Sequence, residues 1–99
     1  MTRYIIKGTY QSGIHAGKSF YLIRGGYFVD PEGAVLISDT YSLSTCKAIC
    51  TKKAKDNLWH HEIEKLEREW CKKEGEPQFL KYPIYELQSF EPFAIEYAE

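Results

Sequence analysis

The hydrophobic rhythm of this chain changes near residue 42. Before that point apolar residues come in short runs rich in β-branched and aromatic types, broken by glycines, as strands and tight turns require. After it, as far as Gly75, they recur every three or four residues, as on one face of a helix, and beyond residue 79 short strand-like runs return. A block of strands, then a block of helices, then a last strand predicts an α+β fold, with helices on one face of an antiparallel sheet rather than an alternating βαβ layout.

The first part predicts a meander of about four strands. Arg3 to Tyr10 is the first, and the loop Gln11 to Gly17 leads to a second over Ser19 to Arg24. Gly25-Gly26 is a hairpin signal, because glycine accepts the positive φ that tight primed turns need. Tyr27-Phe28-Val29 is a third strand, Asp30-Pro31-Glu32-Gly33 a turn with proline preset at its second position, and Ala34 to Ile37 a fourth strand.

The second part predicts two helices. Ser42 or Ser44 can cap the first, whose apolar positions are Leu43, Cys46, Ile49, Cys50 and Ala54. Asp56-Asn57 can open the second. There Trp59, Ile63, Leu66 and Trp70 form one apolar stripe, expected to face the sheet. Glu64 with Arg68, and Glu69 with Lys73, are spaced for i,i+4 ion pairs, and Gly75 followed by Pro77 ends the helix. Residues 79–88 predict a C-terminal edge strand, since Pro83 cannot donate to a ladder. Phe90 to Glu99 reads as a last strand or an ordered arm. The expected architecture is one α+β domain over residues 1–99: an antiparallel meander, two helices and an edge strand.

With 99 residues the chain suits one domain with one core. Residues 1–55 carry a net charge of +5 and residues 56–99 one of −6, which packing into one fold would mix over its surface. No run approaches the roughly 20 apolar residues of a membrane helix, and Met1 to Lys7 lacks the apolar stretch of a signal peptide. The three cysteines have no disulfide-framework spacing, so the expected setting is a reducing, cytoplasmic one.

Several stretches resemble catalytic or ligand motifs and fall short. Gly13 to Ser19 ends in the Gly-Lys-Ser of a phosphate-binding loop, but Ser12 stands where that loop needs glycine. A strand rather than a helix is also expected after Lys18, so the free N–H groups that hold phosphate are missing. His61-Glu62-Ile63-Glu64-Lys65 begins like a zinc-protease helix but puts Lys65 where the second histidine belongs. Cys46 and Cys50, one turn apart, with Cys71 and His60 or His61 form a candidate metal set. Their place on the apolar stripe favours buried thiols instead. No metal, cofactor or enzyme activity is expected.

Two binding surfaces are suggested. One is aromatic and protein-binding: Ile14 and His15 in the loop, Arg24 and Tyr27 at the hairpin tip, and Tyr85, Phe90 and Phe93 near the C-terminus, from a chain with eight tyrosines. The other is a basic helix face, Lys47, Lys52, Lys53 and Lys55, suited to nucleic-acid phosphates. The acidic run from Glu62 to Glu76 would compete with it.

The pattern Tyr4-Ile5-Ile6-Lys7-Gly8-Thr9-Tyr10, with Gly17-Lys18-Ser19-Phe20-Tyr21-Leu22, Gly25-Gly26-Tyr27 and Thr40-Tyr41, resembles small proteins of bacteriophages and prophages of Gram-positive bacteria. The resemblance covers about the first half and has no defining motif, and it implies no chemistry and no catalytic residues. It implies a phage accessory protein that binds a host protein, such as a defence component that it would inhibit. The alternative expectation is a small nucleic-acid-binding domain.

Overall fold

A computed structural model describes residues 1–28, 36–75 and 86–98. Its elements are β1 (Thr2–Tyr10), β2 (Ser19–Ile23), β3 (Gly26–Phe28), a 3-10 turn (Ile37–Asp39), α1 (Leu43–Glu74) and β4 (Gln88–Glu96). The four strands form one antiparallel sheet in the order β3-β2-β1-β4. The fold is therefore α+β with an antiparallel sheet, as the rhythm of the sequence predicts.

β1 lies inside the sheet. It pairs with β4 from Thr2↔Glu96 to Tyr10↔Gln88 and with β2 from Ile6↔Leu22 to Thr9↔Ser19. Its alternation serves two faces. Ile6 packs with Tyr41, Cys46 and Cys50 in the core beneath α1, joined by Tyr4, Leu22, Ile49 and Phe90. Ile5 is fully buried on the opposite face. Tyr21 and Phe93 meet edge-to-face on that side, with ring centroids 5.2 Å apart. Gly8 is required by packing: a Cβ there would fall inside the ring of Phe20.

Beyond the end of β2, the segment leading into α1 takes its place beside β1. Tyr4 and Tyr41 exchange backbone hydrogen bonds of 2.9 and 2.8 Å. Both arginines of this corner converge on Thr40: Arg3 Nη2 donates to its carbonyl at 3.1 Å and Arg24 Nη2 at 3.4 Å. Ser42 then caps α1, its hydroxyl accepting from the Thr45 N–H at 3.4 Å.

The two expected helices are one, 32 residues and about 48 Å long. Asp56-Asn57 would suit a helix start, but no glycine or proline lies between Leu43 and Glu74, so nothing stops the backbone from continuing. The helix ends as expected at Gly75, whose φ of +75° is the left-handed conformation of a C-cap glycine. The tail resolves as a strand: β4 is an edge strand, which accommodates Pro92. Of the expected fourth strand, residues 34 and 35 lie outside the described residues, and Ile37 opens the 3-10 turn instead. The Asp30–Gly33 turn and residues 79–85 with Pro83 also lie outside them. Among the described residues, no helix is long and apolar enough to cross a membrane.

Candidate functional site

Continuity of α1 decides which way its side chains point. Cys46, Cys50 and Asn57 face the sheet and are buried. Trp59 follows Cys46 by 13 residues, a rotation of about 220° at about 100° per residue. Leu66 and Trp70 follow Cys46 by rotations of about 200° and 240°. The apolar stripe of the second half is thus nearly opposite that of the first, and a single helix cannot turn both toward one sheet. Trp59, Leu66 and Trp70 are 60, 59 and 58% exposed. The expectation that this stripe packs on the sheet is overturned; it faces outward, with Ile63 half-buried at its edge. Both tryptophans of the chain lie on this surface.

The inward ridge of the same stretch is polar. Asn57 is buried and acts as a substitute strand for the start of β4: its Nδ2 donates to the Glu86 carbonyl at 3.0 Å, and its Oδ1 accepts from the Gln88 N–H at 2.8 Å. Glu64 and Arg68 approach to 4.0 Å, forming one of the two expected ion pairs. The other, Glu69 with Lys73, is not among the ion pairs of the described residues.

The aromatic candidates do not make one surface. Ile14 is 85% exposed at the tip of its loop, while His15 Nδ1 donates to Glu86 Oε1 at 3.1 Å and its ring lies 5.4 Å from Tyr10. The guanidinium of Arg24 stacks 4.7 Å over Tyr41, so it serves the corner that starts α1. Tyr27 is exposed beside Phe20, with centroids 5.9 Å apart. Phe90 and Phe93 lie on opposite faces of β4, Phe90 against the core under α1 and Phe93 against Tyr21. Tyr85 lies outside the described residues.

The basic candidates are likewise spread. Lys47 and Lys55 line a groove of about 520 Å³ between α1 and β4, with Cys50, Phe90 and Pro92. Lys53 lines a separate groove of about 330 Å³ on the other side of the helix, with Phe20, Asn57 and His60. Lys52 precedes Trp59 by two turns and shares its outward line. The four ammonium groups therefore surround the helix and form no single stripe.

The thiols in this region are poor nucleophiles. Cys46 is fully buried, and its Sγ donates to the Ile5 carbonyl at 3.4 Å. Loss of water pushes its thiol up to about 12, helped by the neighbouring Cys50. Burial raises Cys50 as well. The thiolate is the reactive form, so both shifts oppose nucleophilic chemistry and metal ligation. No His/Cys/Asp/Glu group able to hold a metal occurs among the described residues, which exclude the side chain of Cys71. As expected, Ser19–Ile23 is a strand, so no helix begins behind Lys18 to receive phosphate.

No family model, curated protein or solved structure matches the chain.

The surface with the clearest functional character is thus the outer face of α1. The stripe is visible in the sequence; its direction is set by the phase between Cys46 and Trp59 across a segment with no helix breaker.

Proposed function

We propose that this chain is a non-enzymatic protein-binding module that docks a partner on the outer face of α1. The observation that carries this reading is the outward stripe of Trp59, Leu66 and Trp70. Scattered exposed apolar residues are ordinary, but two tryptophans and a leucine in line on one helix are a concentrated apolar surface. Tryptophan anchors contribute strongly to interfaces because they bury much area at a small entropic cost. A phage-type accessory role with a host protein as target, a defence component included, belongs to the same proposal; its support is the resemblance in the first half of the chain.

The test compares the wild type with Trp59→Lys/Trp70→Lys as baits in bacterial host lysate. Both positions are exposed, so the variant is expected to keep its helical circular dichroism and its melting midpoint. Proteins retained by the wild type and lost by the variant support the reading. If bound material is instead nucleic acid, and is lost on replacing Lys47 and Lys55 but kept on replacing the tryptophans, the docking face is wrong. The nucleic-acid alternative would also show a steep loss of affinity with salt.

A further inference from the structure

The charges beside the stripe select a kind of partner. Trp59, Ile63, Leu66 and Trp70 are spaced 4, 3 and 4, the a/d spacing of a helix that receives another helix. At about 100° per residue, Glu62 and Glu69 lie roughly 65–85° to one side of the stripe and Glu67 about 75° to the other. These are the positions that flank the seam in a helix pair. The cations of the same stretch are elsewhere: Lys65 and Arg68 lie more than about 120° from the stripe. Arg68 points inward, with Glu64 beside it at 4.0 Å. All three flanking glutamates are exposed and none is in an ion pair with a described residue.

From this arrangement we infer that the outer face of α1 receives an amphipathic helix with lysine or arginine along both edges of its apolar face. The inference rests on the proposed docking role and adds the chemistry of the partner. A second copy of this chain does not fit. In a parallel pair Glu62 meets Glu67 of the other copy, and in an antiparallel pair it meets Glu69, so like charges line the seam either way. The basic-edged helix replaces each of those repulsions by an attraction. The docking surface is also short. Trp59 to Trp70 spans about 16 Å, three turns. Lys52 and Lys73 stand two turns beyond Trp59 and Leu66 on the same line, closing the apolar strip at both ends.

Because Trp59 and Trp70 are the chain's two tryptophans, their emission reports on this face alone. The experiment titrates the full chain at low salt with two designed three-heptad peptides, both with leucine at a and d. One has lysine at every e and g position, the other glutamate. The lysine-edged peptide is expected to bind saturably with a blue shift, at least tenfold tighter than the glutamate-edged one, and to weaken as salt is added. Glu62→Lys/Glu67→Lys/Glu69→Lys should invert the preference. The wild-type comparison decides the matter even if that variant folds poorly. Equal binding of both peptides overturns the charge selection while leaving the docking role standing. Concentration-dependent dimerisation abolished by Trp70→Lys, with neither peptide bound, overturns it in favour of a second copy. No emission change with either peptide and no self-association overturns both the inference and the docking role, as does a shift seen only on phosphatidylcholine vesicles.

Discussion

Cys46 shows how one buried atom couples the helix to the sheet. Its thiol donates to the Ile5 carbonyl while its side chain fills the space above Ile6. An unfolded thiol ionises near 9.0, whereas in the fold the proton is held until about 12. Across that window the unfolded state gives up its proton first, so stability falls as pH rises, by up to about 1.4 kcal/mol per unit. Below pH 9 the effect vanishes. Unfolding of wild type and Cys46→Ala by urea between pH 8 and 10.5 should show the steeper decline in the wild type. Equal slopes would mean that the thiol is not desolvated. Gly8 makes a second point at this scale. The ring of Phe20 rests where its side chain would be, so Gly8→Ala should displace that ring and cost about 1–3 kcal/mol by overpacking. An unchanged urea midpoint would show that the ring lies elsewhere.

At the scale of elements, the sheet was largely legible. The β-branched run of β1, the Gly25-Gly26 turn and the apolar run of β2 each specify local geometry that tertiary packing then keeps. Both ends of α1 were legible too, from Ser42 and Gly75, because caps are local chemistry. What was not legible was continuity. Asp56 and Asn57 resemble a helix start, and a new helix would have let the tryptophan stripe face the sheet. Asn57 instead spends its amide on the backbone of β4, a demand set by a strand 30 residues further along the chain. The candidate aromatics scattered for a similar reason: Phe90 and Phe93 are three apart on a strand, so the pleat sends them to opposite faces. Asn57→Ala leaves a part-buried carbonyl and N–H unpaired and should cost about 1–2 kcal/mol. Hydrogen exchange at Gln88 should rise with it; protection unchanged at Gln88 would show that the clamp does not hold the strand.

Over the whole molecule, the long dimension of 61 Å follows from one helix that outruns its sheet contacts. Among the described residues, the core residues of α1 and its clamp, Asn57, lie in its first half, and the second half carries the outward apolar face. Under the proposed function, such a division separates folding from binding. Substitutions at Ile6 or Cys46 act on stability, with Ile6→Ala expected to cost about 2–5 kcal/mol. Substitutions at Trp59, Leu66 and Trp70 are expected to act on partner affinity and to leave the melting midpoint nearly unchanged. The most direct check of that division is acrylamide quenching of tryptophan emission in the isolated folded chain. An outward stripe gives a long-wavelength emission that acrylamide quenches almost as strongly in the folded protein as in urea, in the wild type and in the Trp59→Phe and Trp70→Phe variants alike. A blue-shifted, protected emission from either tryptophan would place the stripe against the rest of the chain and contradict the outward face on which the proposed function stands.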